Sequence, residues 1–198
     1  MTMRVSVWLA LFIVTVVLVI FLKYFPYLPG DVGITRLLQS LLPESKRWAQ
    51  LVSATAEMPW MAVLIAACFL FSWLIAGWRA ALMSFASFGG LYLLGMCLGP
   101  LIAQPRPSAE LVQVTRSLSG FSFPSIFAFN YASTFGFLAV LSAVKTSGKA
   151  RLAILLVCCL FLFTGWVARV ALAAHWPSDV AISYLIGFLW AALLIRLA

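Results

Sequence analysis

Residues 5–22 read VSVWLALFIVTVVLVIFL, an apolar run without a charged side chain, set between Arg4 and Lys23. The hydrocarbon core of a bilayer is about 30 Å thick, and a helix needs about 20 apolar residues to cross it. The run approaches that length, and no small-residue cleavage site stands before Lys23, so it predicts a membrane span rather than a removable leader. Outward from it the pattern recurs over residues 60–77, 80–103, 124–144, 152–172 and 180–197. Hydrophobic residues make up 65% of the chain and charged residues 9%, far from the balance of a soluble domain. The sequence therefore predicts an all-α integral membrane six-helix bundle, with residues 1–198 forming a single domain.

Between the first two spans, residues 24–59 are less apolar. The spacing of Ile34, Leu37, Leu38 and Leu41 suits one amphipathic helix lying on the membrane surface. Charge then orients the bundle. In a six-span chain Arg4, Arg79, the basic turn at 145–151 and Arg196 share one side. Asp31, Glu44, Glu57, Glu110 and Asp179 share the other, together with Lys23, Arg36, Lys46, Arg47 and Arg116. Short basic loops stay in the cytoplasm. The acidic side is thus expected to face the periplasm or exterior, across a bacterial inner membrane. The formal charge of +8 reports topology and contact with anionic lipid rather than nucleic acid. Cys68, Cys97, Cys158 and Cys159 all fall within spans without zinc-ligand spacing, and are expected to be small core residues. No metal or cofactor is expected.

Three polar motifs interrupt this apolar chain. Gln104–Pro105–Arg106–Pro107 follows the third span; a residue before proline is pushed to extended backbone, which ends the helix and aims the guanidinium along the surface. Ser122–Phe123–Pro124–Ser125 opens the fourth span, with Ser122 a candidate N-cap and Pro124 suited to the first helical turn. Helix N-termini bind phosphate through unpaired N–H groups and the positive dipole end. The third motif runs from Arg169 through His175, the chain's one histidine, to Asp179. Pro177 suits a first helical turn, in which His175 and Asp179 meet on one face. Taken singly, each motif reads better as a helix cap or a headgroup anchor than as a functional site. Together they bring two arginines, a serine at a helix start and a histidine with an aspartate to one face, which is a phosphate-handling set.

The order and spacing of these motifs resembles the type 2 phosphatidic acid phosphatase (PAP2) superfamily, which contains bacterial lipid phosphatases and vanadium haloperoxidases. The resemblance spans residues 99–198 and is strongest across motif 168–179, where Arg169, His175 and Asp179 keep the family spacing. It implies that Arg106, Ser125 and Arg169 bind phosphate, that His175 is the nucleophile forming a phosphohistidine, and that Asp179 orients it. The partner it implies is a membrane lipid phosphate or diphosphate in the bilayer, with no nucleic acid and no identified protein partner.

The chain departs from the family pattern at several positions. Gly99 stands where the family has lysine, Ile126 and Phe127 replace Gly-His in motif 122–127, and Ala168 replaces serine. The missing histidine is the family's general acid, worth about 10²–10⁴-fold in rate. An alkoxide needs that proton to leave, whereas a phosphate leaving group does not. The resemblance with these departures implies a phosphohydrolase of altered chemistry at the outer leaflet, suited to a polyprenyl diphosphate. Two alternatives stay open: a non-catalytic lipid-phosphate binder or transporter, and a partner subunit of another membrane enzyme.

Overall fold

The computed structural model describes residues 4–43, 46–115 and 118–197. Glu44 and Arg116, both assigned to the acidic side by the sequence, lie outside the described residues. Where the sequence predicted a six-helix bundle with one surface helix beside it, the described residues hold no strand and form eight helices. These are α1 (Val5–Tyr24), α2 (Asp31–Leu41), α3 (Arg47–Ala54), α4 (Trp60–Ala76), α5 (Trp78–Ile102), α6 (Ile126–Lys145), α7 (Gly148–Ala171) and α8 (Pro177–Leu194). Five of them, α1, α5, α6, α7 and α8, are long and apolar enough to cross a bilayer, and α4 is a shorter apolar helix of 17 residues. The architecture is that of an integral membrane protein.

The two extra helices come from residues 24–59, where the sequence predicted one. Pro43 separates them, because a proline disfavours helical backbone in the residue before it and so stops α2 at Leu41. On α2 the exposed large hydrophobic residues are Ile34, Leu37 and Leu41, beside exposed Arg36 and Ser40, while Asp31 and Thr35 turn inward and are buried. The helix thus presents apolar side chains, flanked by Arg36 and Ser40, to the surroundings, as an interfacial helix should.

The spanning helices pack around α6, 72% of whose most apolar window is buried against 11% for α1. Midway along α6 the chain makes one π turn, Ala132–Gly136. There it meets α8 at Gly187, where a Cβ would fall 2.3 Å from Ala132 Cβ. Small residues let two backbones approach in lipid, where helix association relies on close packing. Gly77, at φ +84°, turns the chain from α4 into α5 in a conformation that only glycine adopts without cost. The four cysteines form no disulfide; Cys68 and Cys158 are buried as expected, whereas Cys97 and Cys159 face outward.

Because the helices alternate in direction, the end of α5, the start of α6, the end of α7 and the start of α8 meet at one end of the bundle. The short helices α2 and α3 pack there, on α7 and α8. All three sequence motifs lie at that end.

Candidate active site

Two loops at this end carry backbone that non-glycine residues rarely adopt: Ala103 at φ 55° after α5, and Ala173 at φ 51° after α7. The first turns the chain into Gln104, whose carbonyl accepts from Ser122 N–H at 2.8 Å. Arg106 follows and braces two other segments, the loop at 119–120 and the turn at 174. Its Nε donates to Gly120 O at 3.2 Å, its Nη2 to Ser119 O at 3.2 Å and its Nη1 to Ala174 O at 2.6 Å. A guanidinium has five N–H groups, so two remain for a ligand. Burial draws the Arg106 pKa down while the charge of Asp179 holds it up, and an arginine so placed stays protonated.

The N-terminus of α8 is capped twice. Pro177 takes the first helical position, and the Asp179 Oδ2 accepts from Trp176 N–H at 3.0 Å. From α2, Asp31 reaches across to accept from Ser178 N–H at 2.9 Å and Ser178 Oγ–H at 2.6 Å. Two carboxylates at one helix start suit the positive end of its dipole. The sequence carried no signal for the second, because Asp31 and Ser178 are 147 residues apart.

His175, 3% exposed, sits one residue before this cap. Its Nδ1 lies 2.6 Å from the carbonyl of Ser122. A carbonyl only accepts, so Nδ1 carries the proton and the neutral ring keeps its lone pair on Nε2. Burial first, then the charges of Arg169 and Arg106, push the His175 pKa well below 6.5, against the opposing pull of the Ser122 carbonyl. At neutral pH the imidazole is therefore uncharged, with Nε2 unprotonated.

This geometry corrects four expectations. Asp179 makes no hydrogen bond to the imidazole; it binds the Ser122 hydroxyl through a very short contact, and the Ser122 carbonyl holds the ring. Ser122 is not the N-cap of α6. That place belongs to Ser125, whose Oγ accepts from Ala128 N–H at 3.3 Å and whose N–H donates to Ser183 Oγ at 3.1 Å. Ser125 is fully buried in this capping role and does not line the cleft described below. Pro124 lies before the helix, not in its first turn, and Ile126 begins α6.

Arg169 closes α7 and is 7% exposed. Its Nη1 donates to Ser53 Oγ at 3.2 Å, and its guanidinium carbon lies 5.2 Å from the centroid of the Phe127 ring. Phe127 in turn packs on Tyr131, with centroids 4.2 Å apart. Gly165 opens the slot for this aromatic pair: a Cβ there would fall 2.9 Å from Phe127 Cε1 and from the Tyr131 ring. Phe127 is thus seated in space that Gly165 leaves for it.

Arg106, Arg169 and His175 line one cleft of about 420 Å³. Ser119 adds a hydroxyl, and Phe121, Phe127, Ile126 and Met96 add apolar wall. Gly99 lines it too, with its absent Cβ in ordinary contact range, 3.7 Å, of Phe121. Two cations beside an imidazole with a free lone pair make a site able to hold a phosphoryl group against a nitrogen nucleophile.

Residues 80–198 match the family model of the PAP2 superfamily. Among solved structures, the fold superposes on the crystal structure of the first transmembrane PAP2 type phosphatidylglycerolphosphate phosphatase from Bacillus subtilis with a TM-score of 0.74. That match covers 96% of this chain and 94% of the other at 18% sequence identity, a likeness of fold. No curated protein matches in sequence.

Proposed function

Because this chain belongs to the PAP2 superfamily, we propose that it is a membrane phosphohydrolase that acts on a lipid diphosphate through a phosphohistidine at His175. The observation that carries this reading is the hydrogen bond from Nδ1 to the Ser122 carbonyl, which leaves the Nε2 lone pair in a cleft lined by two arginines. In this account Arg106 and Arg169 bind oxygens of the terminal phosphoryl group and absorb the charge that develops on them. Nε2 attacks phosphorus, the bridging P–O bond breaks, and the lipid monophosphate leaves with the electron pair. The phosphohistidine is then cleaved by water, releasing phosphate and a proton and restoring the neutral ring.

The diphosphate preference follows from Phe127. It offers no proton where the family's acid would stand, and a phosphate leaves without one, whereas the alkoxide of a monoester does not. The apolar wall of Met96, Phe121, Ile126 and Phe127 suits a hydrocarbon joined directly to the phosphate, as in a polyprenyl chain. The basic turns at Arg79 and at Lys145, Lys149 and Arg151 lie at the opposite end of the bundle, so the cleft faces the periplasm or exterior under the positive-inside rule.

The test is phosphate release by purified protein in detergent from a polyprenyl diphosphate and from a lipid monophosphate. The expected result is cleavage of the diphosphate, monoester cleavage about 10²–10⁴-fold slower, and no turnover by His175→Ala. Equal rates on the two substrates would overturn the leaving-group argument. A second reading, a lipid-phosphate binder without turnover, draws on the fitted packing of Phe127 against Gly165 and Arg169. It is the outcome if the wild type binds the diphosphate and releases no phosphate.

A further inference from the structure

Arg169 is held from two directions by one short helix outside the membrane spans. Helix α3 packs on α7: Ala49 clusters with Ala168 and Leu172, and Ser53, one turn on, meets the Arg169 side chain. Ser53 is 1% exposed and its Oγ accepts from Arg169 Nη1 at 3.2 Å. Two residues on, Thr55 Oγ1 donates to Val52 O at 2.6 Å and lies 2.6 Å from the Tyr131 hydroxyl. A threonine hydroxyl has one proton, already given to Val52, so Tyr131 is the donor in the second contact. The Tyr131 ring packs on Phe127, and Phe127 lies under the Arg169 guanidinium. Asn130, beside Tyr131, donates to Ala56 O at 3.3 Å and ties the same turn to α6.

We propose that Ser53 and Thr55 are positioning residues for phosphate binding, Ser53 holding the edge of the Arg169 guanidinium and Thr55 supporting its face through Tyr131 and Phe127. This rests on the reading of Arg169 as a phosphate ligand. A planar fork engages two phosphate oxygens only when its plane is fixed, and a long arginine side chain fixed in advance loses less freedom on binding. The hydroxyls touch neither phosphate nor the reacting atoms; their effect passes through Arg169.

The experiment is equilibrium binding of farnesyl diphosphate to the purified full-length chain in detergent, with a melting curve for each variant. Ser53→Ala and Thr55→Val are expected to weaken binding by about 3- to 10-fold, equivalent to about 0.7–1.4 kcal/mol at 1.4 kcal/mol per tenfold. Thr55→Ser, which keeps the hydroxyl, restores it. In an Arg169→Lys background, itself weaker than wild type, Ser53→Ala adds no further loss, because the fork it holds is gone. A full further loss there overturns the proposal, since Ser53 would then act elsewhere. Wild-type binding by both Ser53→Ala and Thr55→Val, with Arg169→Lys weakened, overturns the clamp and leaves the phosphate reading standing. Wild-type binding by Arg169→Lys overturns both. If Ser53→Ala does not fold, the Thr55→Val and Thr55→Ser pair decides the matter alone.

Discussion

Exchanging Asp179 for asparagine separates two ways of holding a catalytic histidine. Where an aspartate bonds the imidazole directly, its neutralisation favours the wrong tautomer and lowers turnover by about 10⁴-fold. Here the ring is held by the Ser122 carbonyl, and Asp179 binds Ser122 Oγ–H and Trp176 N–H through Oδ2. An asparagine oxygen still accepts both bonds, but they lose their charge assistance, at about 1 kcal/mol each. The side chain is fully buried, so solvent does not compensate. Part of the loss is recovered if the Gln104 amide beside the carboxylate turns over, which brings its buried, unpartnered Oε1 to the new amide N–H. The net cost is about 1–2 kcal/mol of stability, or about 2–8 °C in melting temperature for a chain of this size. Since the Nδ1–H tautomer survives, turnover should fall by about 10-fold or less. The assay is phosphate release from a polyprenyl diphosphate alongside thermal unfolding in the same detergent. A loss of turnover as deep as that of His175→Ala, with the melting temperature unchanged, would refute the reasoning and place the carboxylate on the ring in the working state.

Three further outcomes follow from the same geometry. Arg106→Ala removes the partner of three backbone carbonyls, at 119, 120 and 174. It should therefore lower the melting temperature as well as weaken diphosphate binding; weakened binding with no thermal effect would show that the brace contributes nothing. Phe127→His, which keeps a ring in the slot opened by Gly165, should raise monoester hydrolysis more than diphosphate hydrolysis. A proportionate change in both would deny the leaving-group account. The pH profile of turnover should stay flat from neutral through 6.5, because the ring protonates, and Nε2 loses its lone pair, only well below that value. Arg169→Ala removes one of the charges that depress this pKa, so its acidic limb should move to higher pH; an unmoved limb would exclude His175 as the titrating group.

The apolar runs made the spans legible, because a bilayer demands a length and a composition that the chain displays openly. Arg106, Arg169 and His175 were legible too, since charged and polar groups at the ends of such helices stand out. The second surface helix was not legible although Pro43 marks the break, because α3 is only eight residues long and buries small side chains, Ala49 and Ser53, that make no strong apolar period. The role given to Asp179 was drawn from spacing along a helix, and spacing reports proximity without saying which neighbour takes the proton. Its first use is as a cap for its own helix, and Ser122 links it to the ring, through the hydroxyl on one side and the carbonyl on the other. Ser125 takes the cap expected of Ser122 because two serines flank the same proline, and only the helix start at Ile126 decides which one caps; Ser122 instead links Asp179 and His175. Asp31, Ser53 and Gly165 had no sequence signal at all. Each matters through a partner on another helix, and one sequence contains no record of those pairings.

The most direct measurement is a search for phosphate on His175 itself. Purified protein is mixed with a polyprenyl diphosphate labelled in the terminal phosphoryl group, quenched within one turnover and digested for mass spectrometry. The account predicts an acid-labile, base-stable phosphoryl group on His175, absent from His175→Ala, which also releases no phosphate. Phosphate release at an undiminished rate by His175→Ala, with no label on the wild-type histidine, would contradict it.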